Sequence, residues 1–208
     1  MKLLIEVGAF DGCDSLQFYE KGYRVLTFEP NRILFEALRS STEYLENYTV
    51  IPKAVCLTNG TTNFNICKEG GASSILPFRS EEELNKTWDQ RTDIHYSGET
   101  YEVETIRLDT FIESMGLQNE IIDYLHIDAQ GVDLECLMSL GKYLSNVKEG
   151  VLETVMDQTK SIYTTQEQNV FCNVSAFLEK NQFMVTNVTS NDSTQCEYNV
   201  YFKKIVDL

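Results

Sequence analysis

Positive charge is scarce in this chain. Seventeen lysines and arginines face 32 aspartates and glutamates, a formal net charge of −15 over 208 residues. Binding to nucleic acid rests on neutralised phosphates, so this balance argues against that class, and Lys203-Lys204 is the only adjacent basic pair. A neutral or cationic small partner fits better, and like charge keeps such a protein in solution. Long apolar runs are also missing: none approaches the roughly 18 residues of a membrane-spanning helix. The short apolar run at the N-terminus leads into a glycine turn and reads as a strand, not a signal peptide. Six cysteines are present without a CxxC pair, which removes the usual spacing of a structural zinc site. Without an export signal they read as reduced thiols of a cytoplasmic protein. The Asn-x-Ser/Thr sequons, such as Asn47-Tyr48-Thr49, then read as chance. Proline is rare, with three residues, and the length fits one domain, 1–208.

What is present is concentrated in the first thirty residues. The run Leu3-Leu4-Ile5-Glu6-Val7-Gly8-Ala9-Phe10-Asp11-Gly12 takes an apolar stretch into an acid and two glycines. A second apolar run, Tyr23 to Phe28, ends on Glu29-Pro30. A glycine turn after a strand, with an acid about 20 residues on, is the layout of a nucleotide-type cofactor site in an α/β sheet. The glycines let backbone approach a ligand closely, and the second carboxylate suits both hydroxyls of a ribose.

Farther along, the pattern predicts strands at 2–8, 24–29 and 49–57, with helices at 15–21 and 31–46. Gly22 sits as a helix-ending residue. Asn59-Gly60 signals a turn, with 61–67 returning as an extra antiparallel strand. Between Lys68 and Thr100 regular pattern is lost, and a loop of that length in a compact domain points to function. The acidic run 81–83 reads there as a solvated helix start. A strand at 101–107 and an Asp109-capped helix at 110–116 follow, then a buried strand at 121–127 ending at Asp128. Helices at 131–140 and 165–180, a strand at 147–153 and a hairpin of 183–189 with 197–203 complete the chain. This alternation predicts an α/β fold: a mostly parallel, Rossmann-like sheet with helices on both faces and an antiparallel C-terminal hairpin.

The turn itself separates two cofactors. A dinucleotide site asks for glycines at 8, 10 and 13, but Phe10 and Cys13 stand at the last two. Glu6 would repel a pyrophosphate, whereas an amino group and a sulfonium attract it. S-adenosylmethionine carries both, and a ribose for Glu29. Electrostatics therefore favours it over NAD.

The motifs resemble those of the FkbM family of S-adenosylmethionine-dependent methyltransferases, a branch of the class I fold, nearly from end to end. Glu6-Val7-Gly8-Ala9-Phe10-Asp11-Gly12 resembles its D-V-G-A-N-x-G turn, and Phe28-Glu29-Pro30 its F-E-P. Lys53-Ala54-Val55 with Asn59-Gly60, Ser73-Ser74-Ile75 and Ile106-Arg107-Leu108-Asp109 resemble further family segments. Asp123 to Asp133 resembles the signature I-D-L-L-K-I-D-V-E-G-A-E. Three positions depart: Phe10 replaces the family's asparagine, His126 its lysine and Gln130 its glutamate. Members also carry helices before the first strand, so the resemblance implies a domain cut from a longer polypeptide or a lineage without that cap.

The resemblance implies methyl transfer to oxygen, with a sugar hydroxyl of a glycan or glycoside as acceptor, a deoxyhexose such as rhamnose among them. Cofactor contacts are expected from Glu6, Gly8, Ala9, Phe10, Asp11, Gly12, Glu29, Pro30, Asn31, Ala54 and Val55. Strand alternation puts His126 and Asp128 on one side, where the acid would orient the imidazole as base; a core histidine and a helix cap are the plainer readings. Glu153 ends the next strand, and related O-methyltransferases hold Mg²⁺ or Mn²⁺ with acids at these two strand ends, so the resemblance leaves a divalent metal as an option, with Asp128 and Glu153 as its ligands if one is bound. Ser74, Trp88, His95 and Tyr96 form the candidate acceptor-facing set in the 68–100 loop, with Tyr101 beside them; a surface position for His95 and ordinary loop packing for the aromatics are the alternative readings. An NAD-dependent oxidoreductase and a non-catalytic methyltransferase-like module stay as alternatives.

Overall fold

A computed structural model describes residues 1–88, 91–164, 168–191 and 195–205. Its first half runs β1 (Lys2–Val7), α1 (Cys13–Glu20), β2 (Tyr23–Phe28), α2 (Arg32–Thr42), β3 (Tyr48–Ile51), β4 (Ala54–Val55), β5 (Gly60–Cys67) and α3 (Glu81–Thr87). The second half runs β6 (Tyr96–Ile106), α4 (Leu108–Ser114), β7 (Tyr124–Ile127), α5 (Asp133–Met138), β8 (Glu149–Val155), α6 (Phe171–Lys180), β9 (Phe183–Ser190) and β10 (Glu197–Lys204). Seven strands form one sheet in the order β3-β2-β1-β7-β8-β10-β9. The first five are parallel, and β10 runs antiparallel to both neighbours. The chain reverses its winding between β1 and β7, and ligands of such sheets bind beyond the strand ends at that switch.

Alternation along β1 separates the faces. Leu3, Ile5 and Val7 join the main core with Phe111 of α4 and Leu134 and Leu137 of α5. Leu4 packs on the other face with Val25, Tyr48 and the α1 residues Leu16, Phe18 and Tyr19. The apolar residues of β1, buried on both faces, explain the strength of its strand pattern, because strands covered on both faces read as near-continuous hydrophobic runs. Among the described residues no helix is long and apolar enough to cross a membrane.

Several boundaries differ from expectation. The strand expected at 49–57 is two, because Pro52 lacks the N–H that a continuous ladder needs. β4 instead joins a second sheet, of order β4-β6-β5. The strand after Asn59-Gly60 does return antiparallel, but its partner is β6 rather than the preceding strand. That strand begins at Tyr96, and α3 stands on a Ser80/Glu83 capping box, so much of 68–100 is regular structure. Asp109 is not a cap: Arg107 holds that position, and Asp109 pairs with it at 2.5 Å. The helix after Gly131 starts at Asp133, because Gln130 and Gly131 have φ of +52° and +97°. The helix expected from 165 starts at Phe171; residues 165–167 lie outside the described part.

Candidate functional site

The ends of β1, β2, β4 and β7 frame a cleft of about 580 Å³. Gly8 lines it with φ +85°, and a Cβ there would stand 1.9 Å from the Asp128 carbonyl oxygen. The turn after β1 is therefore pressed against the backbone after β7, which only glycine permits. Both Gly8 and Ala9 donate their N–H to the Phe28 carbonyl at 3.0 Å, which fixes the turn on β2. Gly12 serves packing instead. Its Cβ would meet Leu38 Cδ1 at 2.4 Å, away from the cleft. Asp11 accepts from Cys13 N at 3.0 Å at the start of α1, and Asn31 caps α2 by accepting from Ile33 and Leu34. Of the expected cofactor set, Gly8, Phe10, Glu29, Pro30, Ala54 and Val55 line this cleft; Glu6, Ala9, Asp11, Gly12 and Asn31 do not.

Glu29 is the cleft's principal charged group. One carboxylate oxygen accepts from Phe10 N and the other from Asn31 N, each at 2.7 Å. Burial raises its pKa to about 7; the two N–H donors oppose this, and the nearby charges of Glu6 and Asp128 add to it. Two backbone donors leave lone pairs on both oxygens for further donors.

Glu6, expected near the methionine end of the cofactor through water or backbone, is not among the residues lining the cleft. It is 1% exposed, accepts from Thr27 Oγ1 at 2.5 Å and lies 3.5 Å from His126 Nδ1. In-register parallel pairing of β1 with β7 sets Glu6 beside His126. So His126 is oriented by Glu6 rather than by Asp128, and it lies outside the lining of both clefts. Burial favours the neutral imidazole, but the Glu6 hydrogen bond and the charges of Glu6 and Asp128 outweigh it, so the His126 pKa is raised.

Asp128 lines the cleft just past β7. Its Oδ1 accepts from Gln130 Nε2 at 2.5 Å, and the same nitrogen lies 3.4 Å from Glu153 Oε2. Asn191 donates to the other oxygen of Glu153. The Tyr163 hydroxyl lies 2.9 Å from Gln130 Oε1 and 2.7 Å from the Ala72 carbonyl. Burial raises the pKa of Asp128 and, well beyond its ordinary value, that of Glu153, whose rise is increased by the charge of Asp128. The structure thus brings Asp128 and Glu153 together, but through an amide. A divalent cation takes about six oxygen ligands or more, whereas an N–H donor here points at the same lone pairs. Among the described residues no three His, Cys, Asp or Glu side chains gather as a metal site. The residues present do not fit a divalent metal held by this pair.

Beneath this bridge lies Asp133, which the sequence signature contained but did not single out. It is fully buried and accepts from Ala129 N at 2.7 Å, Gly131 N at 3.1 Å and Asn169 Nδ2 at 2.9 Å. Burial, then the charge of Asp128, raises its pKa to about 8, against the backbone N–H donors of Ala129, Gly131 and Asp133 itself. The left-handed turn at 130–131 hangs on this carboxylate.

A second cleft of about 780 Å³ adjoins the first, sharing Phe10, Gly71 and Gln130. Glu69, Arg91, Asp93, Glu153, Asn191 and Glu197 supply its polar lining. The expected acceptor-facing residues are absent from it. Trp88 is fully buried and donates Nε1–H to the Lys160 carbonyl, in a cluster with Leu84, Ile94, Ile162 and Tyr163. His95 is 2% exposed, 3.4 Å from Glu81. Ser74 spends its hydroxyl on the Gln130 carbonyl at 2.7 Å, tying the 68–80 segment to the signature turn. Tyr96 stacks on Phe78 and bonds Thr100, and Tyr101 accepts from Arg32 N. Trp88 gave no sign of its place because a lone aromatic fits core and ligand wall equally.

Comparison with known proteins gives three findings. The family described as "Methyltransferase FkbM domain" matches residues 6–199. No protein of curated function matches the sequence. Among solved structures, the fibrillarin/Nop5p complex is similar with TM-score 0.54 and 13% identity, over 98% of this chain and 73% of that one. Ribosomal protein L11 methylase from Lactobacillus delbrueckii subsp. bulgaricus gives TM-score 0.51 and 8% identity, over 98% and 70%. WbdD, crystallised with a kinase inhibitor, gives 0.50 and 10%, over 97% of this chain but 35% of that one. At these identities the likeness is one of fold.

Proposed function

This chain belongs to the FkbM methyltransferase family, whose cofactor is S-adenosylmethionine, and on that footing we propose that it methylates oxygen, at a sugar hydroxyl of a glycan or glycoside. The observation that carries the reading is the meeting of two clefts at Phe10, Gly71 and Gln130, with Gln130 bonded to Asp128 of the first; that cleft bears the strand-end acid Glu29, and the other is empty of basic charge except Arg91. S-adenosylmethionine supplies, when bound, a methyl group on a positively charged sulfur.

The first cleft fits that cofactor in three respects. Glu29, held by Phe10 N and Asn31 N, offers its remaining lone pairs to the two ribose hydroxyls. Ala54 and Val55 edge the space beside it, where the adenine belongs, opposite Pro30 and Leu34. After burial, the charges of Glu6 and Asp128 also raise the pKa of Glu29, so three acids bear on this cleft. That negative field favours a sulfonium over a pyrophosphate. Glu6 contributes charge through the sheet layer rather than by contact.

Asp128 is the proposed general base. A sugar hydroxyl is a weak acid, and a carboxylate in the first cleft, bonded to the shared Gln130, takes its proton as the oxygen attacks the methyl carbon in line. Gln130 fixes the carboxylate's orientation by its hydrogen bond to Oδ1. Glu153, raised by burial, stands as the acidic partner across the amide, and His126 acts from behind the site through Glu6. Partners are therefore small molecules or glycan ends, and a nucleic acid is disfavoured by charge. The test is transfer of labelled methyl to a panel of glycosides, with Asp128→Asn as control. Transfer to a hydroxyl that the variant abolishes supports the proposal; full activity of the variant refutes the base.

A further inference from the structure

We infer that the acceptor sits in the second cleft as an unphosphorylated pyranoside whose apolar ring face lies on Phe10. The inference rests on the methyl-transfer reading above and adds to it a place, an anchoring residue and an excluded class of acceptor.

Phe10 is built as a partition. Its φ is +49°, a conformation bulky residues rarely hold, and its side chain is 42% exposed although aromatic. Such strain persists where the surroundings impose it, and it clusters at ligand sites. The ring's far edge lies against Gly70 and Gly71, where an added Cβ would stand 3.8 and 3.6 Å from Phe10 Cε2. The two glycines leave the ring room to lie between the clefts, and it lines both. An exposed aromatic face beside a polar cleft matches a pyranose, whose axial C–H faces are apolar while its rim is hydroxylated. On that rim Glu153 and Asn191 offer acceptor and donor groups within one hydrogen-bonded pair.

Charge decides between acceptors. Three carboxylates, Glu69, Asp93 and Glu197, line the second cleft with the buried Glu153 carboxyl, against one guanidinium, Arg91. That guanidinium already bonds Asp93, with Nε 3.2 Å from Oδ1. The residues outside the described part, at 89–90, 165–167, 192–194 and 206–208, include no lysine or arginine. A phosphate therefore finds no unengaged cation among these residues, and a sugar phosphate or nucleotide-linked sugar is repelled where a methyl glycoside is not.

The experiment compares methyl transfer to methyl α-rhamnopyranoside and other methyl glycosides with transfer to the matching sugar 1-phosphates. It uses the whole chain, Phe10→Ala, Phe10→Tyr and Glu69→Trp, with S-adenosylhomocysteine binding measured on each by calorimetry. Glu69 is exposed and lines only the second cleft, so a tryptophan there narrows the acceptor path without entering the core. The expected result is a rise of about tenfold or more in acceptor KM for Phe10→Ala and Glu69→Trp. Phe10→Tyr restores the value, homocysteine-product affinity of Glu69→Trp stays within about twofold, and sugar 1-phosphates are poorer acceptors by about tenfold. Acceptor KM unchanged in both Phe10→Ala and Glu69→Trp overturns the placement while leaving sugar methylation intact. Preference for the sugar 1-phosphate overturns the charge argument. If the unaltered chain binds S-adenosylhomocysteine but methylates no glycoside, the sugar reading itself fails, and this inference with it.

Discussion

Lowering the pH from 8 to 6 should loosen the cofactor site about tenfold, and the cause is Glu29. Its carboxylate is poised near neutrality because burial raises its pKa to about 7. Two ribose hydroxyls can both donate to Glu29 only when it is ionised; protonated, one oxygen becomes a donor and a hydroxyl loses its acceptor. With a pKa of about 7, the ionised fraction falls from about ten in eleven at pH 8 to about one in eleven at pH 6. Binding that requires the anion therefore weakens by about tenfold, or roughly 1.4 kcal/mol. Glu29→Gln should abolish that slope and cost about 1.5–3 kcal/mol at pH 8, the worth of a hydrogen bond to a charged group. Titration calorimetry with S-adenosylhomocysteine at pH 6, 7 and 8 gives both numbers. A flat affinity in the unaltered chain, or an undiminished affinity in Glu29→Gln, would refute the assignment of Glu29 to the ribose.

Four further outcomes follow from the same geometry. Gly8→Ala should lower stability by about 2–4 kcal/mol in denaturant titration, because its Cβ would meet the Asp128 carbonyl oxygen at 1.9 Å. Asp128→Asn should cut kcat by about 10²–10⁴ while the calorimetric affinity for S-adenosylhomocysteine stays close to that of the unaltered chain. EDTA should leave turnover unchanged, because the Gln130 amide already engages the lone pairs between Asp128 and Glu153; restoration by added Mg²⁺ would count against this. Glu6→Gln should lower the imidazole pKa of His126 in NMR titration, since Glu6 supplies the largest of the influences that raise it.

The chain discloses its sheet more readily than its acceptor site. Leu3, Ile5 and Val7 against Leu4 are buried on both faces, so their run marks a central strand whatever covers it. Gly8 and Glu29 were legible because a backbone contact and a buried strand-end acid each demand one residue type. The neighbour of Glu6 was not legible: strand alternation gives its side of the sheet, but only the pairing of β1 with β7 reveals His126 beside it. Gln130 was visible as a departure, yet its left-handed backbone and its place between two carboxylates depend on Asp133 and Tyr163, far apart in sequence. The 68–100 segment supplies Glu69, Arg91 and Asp93 to the second cleft, whereas its single tryptophan goes to the core. Composition cannot separate those fates, because packing across α3 decides them.

The most direct test of the account is to incubate the protein with labelled S-adenosylmethionine and a panel of methyl glycosides, then locate the label by mass spectrometry and NMR. The account predicts a single methyl ether on a ring hydroxyl, formed only with Asp128 intact. Label on nitrogen, or binding of NAD in place of S-adenosylhomocysteine, would contradict it.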